Sequence, residues 1–155
     1  MPLAPTTIMT SPREPSSPST VDVVIPSDPA EARRVQEAIE QLLRAHHATE
    51  KDIFGIRLAL EEALVNAIKH GNQMDRSKKV AIVSRVEAER FEIHITDEGN
   101  GFDPVDVPDP TAVENIERPC GRGLMLMRHY MTEVRFNDRG NAVSMSKHFR
   151  HNGKM

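Results

Sequence analysis

The sequence predicts an α+β domain built as a two-layer α/β sandwich, with one mixed, mostly antiparallel sheet and helices on one face. Two stretches with apolar residues at helical spacing, residues 28–46 and 49–70, precede most of the strands. Residues 80–96 then alternate between apolar and polar side chains over two runs, which predicts a hairpin. Helices and strands that segregate in this way favour one sheet with its helices on a single face.

The first strand and the first helix occupy residues 20–46. Residues 20–25 (T-V-D-V-V-I) alternate well enough for a strand, and Pro26 ends it because proline has no amide to donate to a sheet. Ser27 is the expected N-cap of the helix, whose acidic first turn suits the positive end of the helix dipole. The apolar stripe of this helix consists of Val35, Ile39, Leu42 and Leu43.

The second helix is expected to begin near Thr49, with Asp52 three residues later as an approximate capping-box partner. Gly71 followed by Asn72 is expected to end it, because glycine and asparagine tolerate the backbone conformation that stops a helix. The predicted buried face consists of Ile53, Ile56, Leu60, Leu64, Ala67 and Ile68.

A long segment rich in glycine and proline, residues 97–121, follows the predicted hairpin. A loop of that length inside a compact domain is usually functional. The remaining predicted elements are a helix at 122–131 and strands at 134–136 and 142–149, joined by a polar turn at 137–141.

A single domain at residues 21–149 accounts for these elements, because 155 residues are too few for two ordinary domains. Residues 1–20 are rich in proline, serine and threonine and are predicted to be a disordered tail. Residues 150–155 are predicted to be a short basic tail.

Composition narrows the possible partners and compartment. With 20 basic and 23 acidic residues the net charge is -3, which offers no electrostatic reason to expect nucleic acid or an acidic membrane surface. The single cysteine, Cys120, rules out an internal disulfide framework and fits a reducing cytoplasm. No run approaches the roughly 18 apolar residues of a membrane helix, and no secretory signal is expected from the sequence.

The segment E-E-A-L-V-N-A-I-K-H-G places an acid, an amide and an ammonium group on one line of the second helix. Glu62 and Asn66 are four residues apart and share a helix face, and Lys69 comes three residues further on. An amide oxygen suits Mg²⁺, and a carboxylate one turn away can accept a proton. By itself the pattern also fits a solvated polar stripe, although Asn66 lies between apolar neighbours where an amide is a poor helix former.

Two glycine-containing segments accompany it. In I-T-D-E-G-N-G-F a strand ends at Asp97, and Gly99 and Gly101 let the backbone approach a ligand closely. In G-R-G-L, residues 121–124, glycines open a helix whose amides can hold phosphates. Alone, the first also fits an acidic turn between strands, and the second fits an ordinary joint between loop and helix.

Taken together and in this order, the three segments resemble the N, G1 and G2 boxes of the GHKL ATPase superfamily. The resemblance extends from about Val21 to Phe149 and implies the Bergerat ATP-binding fold. Within the superfamily the chain is similar to stand-alone anti-sigma-factor serine/threonine kinases, whose N box the segment around Glu62 fits closely.

The resemblance implies a role for each matching residue. Glu62 matches the general base that takes a proton from a substrate serine, and Asn66 matches the Mg²⁺ ligand. Asp97 matches the carboxylate that recognises adenine, with Gly99 and Gly101 shaping its pocket.

The phosphate-binding G2 turn of the family matches Gly121, Arg122, Gly123 and Leu124. Residues 103–120 match the family's mobile ATP lid. Charge and spacing further make Lys69 and Arg122 candidate contacts of the γ-phosphate. His70 fits either an interaction at the helix end or a phosphate contact.

The resemblance therefore implies a cytoplasmic, Mg-ATP-dependent protein serine/threonine kinase that phosphorylates a STAS-type antagonist, sequesters a sigma factor and forms a homodimer. No helical segment with a phospho-accepting histidine precedes the ATPase boxes, so a complete sensor histidine kinase is not expected. Two alternatives stay open: a nucleotide-gated binding module without phosphoryl transfer, and a free-standing histidine-kinase ATPase domain that serves a phosphorelay.

Overall fold

The computed structural model describes residues 18–99 and 119–149, and for residues 119–122 it describes the backbone alone. The expectations for residues 1–17 and 150–155, for Gly101 and for the lid up to residue 118 therefore lie outside the described residues. The predicted boundary of the N-terminal tail at residue 20 is wrong, because Ser19 and Thr20 already pair in the first strand. The elements in chain order are β1 (Ser19–Pro26), α1 (Pro29–Ala45), α2 (Glu50–Val65), a π-helical segment (Asn66–Gly71), β2 (Lys79–Val86), β3 (Arg90–Asp97), α3 (Pro119–Tyr130), β4 (Glu133–Phe136) and β5 (Ala142–His148).

The predicted α+β sandwich is confirmed: one five-stranded sheet in the order β1-β2-β3-β5-β4 carries the helices. All four strand pairings are antiparallel, so the expectation of a mixed sheet is wrong for the described strands. Two successive helices between β1 and β2 return the chain in the reversed direction. The connection from β3 through α3 makes β4 run parallel to β3, but β5 lies between them, so this parallel pair never forms hydrogen bonds.

Buried residues alternate with more exposed ones along most of β1, β2 and β3, and this alternation shows which face of the sheet packs against the helices. Across the sheet, Val21, Ser84 and Ile93 lie side by side and are buried, whereas the neighbouring row of Asp22, Val83 and His94 is exposed. Successive strand residues point to opposite faces, so only one face joins the helical layer. The strand residues in the core are Val21, Val23, Ile25, Val80, Ile82, Val86, Phe91, Ile93, Ile95, Val143 and Met145.

The N-cap predicted from sequence is confirmed for α2 and wrong for α1. Asp28, not Ser27, caps α1 by accepting a hydrogen bond from the Ala30 amide at 2.9 Å. The Ser27 hydroxyl is buried and instead donates to the Lys78 carbonyl at 2.7 Å. Thr49 caps α2 as predicted, accepting from the Asp52 amide at 3.1 Å.

Helix α3 packs along α2, and a glycine lies at each end of their contact. A Cβ placed on Gly55 would lie 2.9 Å from Cδ1 of Tyr130, and one placed on Gly123 would lie 2.6 Å from Oε2 of Glu62. Small residues at these two positions let the helices approach closely. The last turn of α3 is also held to the sheet, because the Lys147 Nζ donates to the Tyr130 carbonyl at 2.8 Å.

Over residues 18–99 and 119–149, no helix combines the length and the apolar character needed to cross a bilayer.

Candidate functional site

The end of α2 brings together the first pair of predicted site residues. The backbone amide of Asn66 donates to the backbone carbonyls of Glu62 and Ala63. The side chains of Glu62 and Asn66 therefore begin one helical turn apart. Both side chains are partly buried, neither enclosed in the core nor fully solvated. The carboxylate and the amide can therefore act on the same small ligand.

Asn66 also begins a change of helix type that the sequence pattern did not predict. Residues Asn66–Gly71 form a π-helical turn, and the Asn72 amide closes it on the Ala67 carbonyl at 2.8 Å. Such widened turns occur frequently at functional sites. A π turn takes more than four residues, so each residue advances less around the helix axis than in an α-helix. Lys69 therefore lies further around the axis from Asn66 than α-helical spacing implies, and His70 lies closer to the Asn66 face. Both side chains are exposed.

The electrostatics at Glu62 favour a proton acceptor. Burial raises the pKa of the Glu62 carboxyl above its ordinary value, and the negative charge of the adjacent Glu61 raises it further. The charge of His70 acts in the opposite direction and lowers the pKa of Glu62, so His70 belongs to the surroundings of this carboxyl. A carboxylate with a raised pKa is a stronger base than an ordinary exposed one.

The first turns of α3 reach this carboxyl. Gly123 is buried against Oε2 of Glu62, and the next residue, Leu124, is partly buried. The predicted phosphate-binding residues Gly121 and Arg122 lie in the helical backbone of α3, and their side-chain environment lies outside the described residues. The structure therefore brings the second glycine of the G2 segment to the predicted base.

A second carboxylate lies at the end of β3 on the inner face of the sheet. Asp97 is 8% exposed, and its Oδ1 accepts a hydrogen bond from the Gly99 amide at 2.8 Å. Burial raises the pKa of Asp97, and the Gly99 hydrogen bond and the charges of Arg139 and Lys78 oppose that shift. A buried carboxylate with one oxygen held by a backbone amide suits recognition of an amino group.

Two glycines make room for this carboxylate. A Cβ on Gly71 would overlap the Asp97 carboxyl group, and a Cβ on Gly99 would overlap the Gly71 carbonyl. The end of the π-helical segment and the start of the G1 turn therefore touch through backbone atoms. Any larger residue at either position would push the two segments apart.

Sequence reasoning missed three residues that hold the G1 turn. Asn141 donates from Nδ2 to the Asp97 carbonyl at 3.0 Å, and Arg139 donates to the Gly99 carbonyl at 3.3 Å. Asn72 accepts from the Glu98 amide at 2.8 Å. Asn141 and Arg139 lie in the β4–β5 turn, and Asn72 follows the end of a helix. Asparagine and arginine are ordinary residues at such positions, so the sequence carried no sign that they also bind the G1 turn.

The fold and the arrangement of these two carboxylates agree with an ATP-binding domain of the histidine kinase type. The family model described as the histidine kinase-like ATPase domain matches residues 25–147. The chain belongs to this family, which confirms the predicted resemblance to the GHKL ATPase superfamily. Membership in a family of ATPase domains implies the use of ATP.

Among curated relatives, the chain is 35% identical over 105 residues to the serine-protein kinase RsbW of Bacillus licheniformis, covering 62% of this chain and 64% of that protein. It is 30% identical over 105 residues to the anti-sigma F factor of Clostridium perfringens, covering 64% of this chain and 74% of that protein. The chain is thus a relative of anti-sigma-factor kinases, and these names agree with the predicted serine/threonine kinase class.

The fold also has a solved counterpart. The crystal structure of the RsbU and RsbW domains of a Mycobacterium tuberculosis protein matches with a TM-score of 0.55 at 17% identity, covering 84% of this chain and 32% of that one. At that identity the likeness concerns the fold alone, and it agrees with the Bergerat-type sandwich expected from the sequence.

Proposed function

We propose that this chain is a Mg-ATP-dependent serine/threonine protein kinase of the anti-sigma-factor type. Its substrate is a serine or threonine on a STAS-type antagonist, and its second activity is sequestration of a sigma factor. The observation that carries the proposal is Glu62, a partly buried carboxyl of raised pKa with Asn66 one helical turn away and Gly123 against it.

In this proposal the residues of the site divide the work between the nucleotide and the acceptor. Glu62 takes the proton from the acceptor hydroxyl, which makes that oxygen a better nucleophile. Asn66 holds Mg²⁺ through its amide oxygen, a neutral hard ligand, and Mg²⁺ suits a site with few protein ligands. Bound Mg-ATP supplies the phosphoryl group and the charge neutralisation that the transfer needs.

The nucleotide base is assigned to Asp97, whose carboxylate accepts a hydrogen bond from the adenine amino group. The absence of Cβ atoms at Gly71 and Gly99 leaves that carboxylate close to the backbone, and burial strengthens a hydrogen bond made there. Lys69 and Arg122 are proposed to contact the γ-phosphate, and Gly101, Gly121 and Leu124 are proposed to complete the nucleotide pocket.

The proposed compartment, oligomeric state and partners are also those that the family resemblance implies. We place the protein in the cytoplasm as a homodimer, with an antagonist and a sigma factor competing for it and with no nucleic-acid partner. The relatives named as serine-protein kinase and anti-sigma F factor support the proposed antagonist and sigma-factor partners. Phosphorylation of the antagonist would weaken its binding and leave the sigma factor sequestered.

The test is transfer of the labelled γ-phosphate of ATP to a purified STAS-type antagonist encoded near this chain, followed by identification of the phosphorylated residue. Glu62→Gln should abolish transfer, and Glu61→Gln, its exposed neighbour on the same helix, should retain most of it. Normal transfer by Glu62→Gln would remove the proposed base.

The two alternatives give different results in the same assay. Binding of ATP without transfer to the antagonist would identify a nucleotide-gated binding module. A phosphohistidine product on a partner, in place of phosphoserine or phosphothreonine, would identify an ATPase domain that serves a phosphorelay.

A further inference from the structure

Asn72 is the most completely enclosed polar side chain in the described part of the chain, with an exposed fraction of 0%. Its Nδ2 donates to the Ser27 hydroxyl and to the Lys79 carbonyl, each at 2.9 Å. Its Oδ1 accepts from the Glu98 amide at 2.8 Å. A buried amide with both donors and its acceptor engaged is held in one orientation, because any rotation would leave a buried polar atom unpaired.

These hydrogen bonds form a closed ring between three segments. Asn72 lies directly after the π-helical segment, Lys79 begins β2, and Glu98 opens the G1 turn. The ring closes because the Lys79 amide donates to the Glu98 carboxylate. Glu98 is thus held at its backbone by Asn72 and at its side chain by Lys79.

Two residues of the ring, Asn72 and Glu98, are sequence neighbours of the residues that form the Asp97 site. Gly71, which precedes Asn72, lies against that carboxylate, and Glu98 follows Asp97 directly. The peptide between Asp97 and Glu98 donates its amide to Asn72, and its carbonyl accepts from the Asn141 Nδ2 at 3.0 Å. This peptide cannot turn without breaking both bonds, so Asn72 restrains the backbone from which the Asp97 side chain extends.

We infer that Asn72 is a positioning residue for nucleotide selection, which holds the Asp97 carboxylate where it distinguishes adenine from guanine. This inference rests on the proposed adenine-binding role of Asp97. Adenine presents an amino group at the position where guanine presents a carbonyl oxygen. A carboxylate fixed at that position accepts from the first base and repels the second, and a displaced carboxylate loses both effects.

The experiment measures the dissociation constants of ATP and GTP by competition against a fluorescent ATP analogue. Asn72→Ala should weaken ATP binding about tenfold or more, the size expected for one misplaced hydrogen bond to a charged group, while GTP binding stays level or tightens because the repulsion of its carbonyl oxygen is relieved. The ratio of the two constants does not depend on the fraction of folded protein, so a loss of stability alone leaves it unchanged.

Ser27→Ala is the matched control. It removes one acceptor of the Asn72 amide but leaves the bond between Asn72 and Glu98 intact. It should lower the melting temperature and keep the wild-type ratio of ATP to GTP binding. An equal loss for both nucleotides in Asn72→Ala, or the same change of ratio in both variants, would overturn the inference.

Amide hydrogen exchange in the wild-type protein tests the same bond without any substitution, even where Asn72→Ala does not fold. The Glu98 amide should exchange at least tenfold more slowly than a solvated amide, because Asn72 holds it. Exchange at the rate of a free loop amide would overturn the inference. A wild-type protein that binds no ATP, with Glu98 protected, would instead remove the proposed function on which the inference rests.

Discussion

Glu62 and Gly123 lie in contact across the seam between α2 and α3, so that a Cβ on Gly123 would lie 2.6 Å from Oε2 of Glu62. The two residues are 61 positions apart in the chain and belong to different predicted boxes. Their contact joins the proposed base to the proposed phosphate-binding turn. The distance from the proposed base to the proposed phosphate-binding turn therefore depends on how closely the two helices pack.

Gly123→Ala should lower the rate of phosphoryl transfer while the protein stays folded. The added methyl group must displace the Glu62 carboxylate, and a displacement of about 1 Å can cost up to a hundredfold in rate. Steady-state kinetics should show the loss mainly in kcat.

Gly55→Ala is the control at the other end of the same seam, where the added Cβ would lie 2.9 Å from Cδ1 of Tyr130. It should destabilise the fold by about 1–3 kcal/mol through overpacking and leave kcat nearly unchanged. Equal effects of the two variants on kcat would show that packing of the seam in general, and not contact with Glu62, controls the rate.

The pH dependence of transfer should have an acidic limb that reports on Glu62. Transfer needs the ionised carboxylate, and burial raises the pKa of this group, so activity should fall as pH decreases through that raised value. Because the His70 charge lowers the pKa of Glu62, His70→Gln should move the limb to higher pH. His148→Gln, which alters an exposed histidine on β5, should leave the limb in place, and a limb unmoved by His70→Gln would contradict the assignment.

Glu62→Gln should make the protein more stable at alkaline pH while it removes activity. The folded-state pKa of Glu62 is raised above the unfolded value, so the folded chain binds this proton more tightly. The free energy of unfolding then falls as pH rises from the unfolded pKa to the raised folded pKa, and the loss persists above it. Thermal melts of the wild type and the variant should differ most above that interval and converge below it; a difference largest in acid would have the wrong sign.

Asp97→Asn should weaken ATP binding about a hundredfold, because the amide nitrogen can face the adenine amino group with a donor where the carboxylate offered an acceptor. Titration calorimetry with ATP measures the effect. Asp22→Asn, an exposed carboxylate on the outer sheet face, should bind ATP like the wild type. Unchanged affinity in Asp97→Asn would move the base-recognition site elsewhere.

Much of the fold follows from local patterns that short stretches of sequence carry by themselves. The period-two alternation in β2 and β3 and the Thr49 cap of α2 appear in the structure as predicted. The cap of α1 does not, because Ser27 and Asp28 are both good caps in sequence. The choice depends on Ser27 being drawn toward Lys78 and Asn72, which lie far away along the chain.

The candidate site divides in the same way. The sequence by itself determined the family, the order of the boxes and the spacing of Glu62 and Asn66, since these are properties of contiguous residues. Only the tertiary structure decided that Gly123 meets Glu62, that Gly71 makes room for Asp97 and that Asn72 holds Glu98. Each of these contacts joins segments whose separation along the chain carries no periodic signal. Close packing of helices on a single sheet face brings them together, and no local pattern encodes that distance.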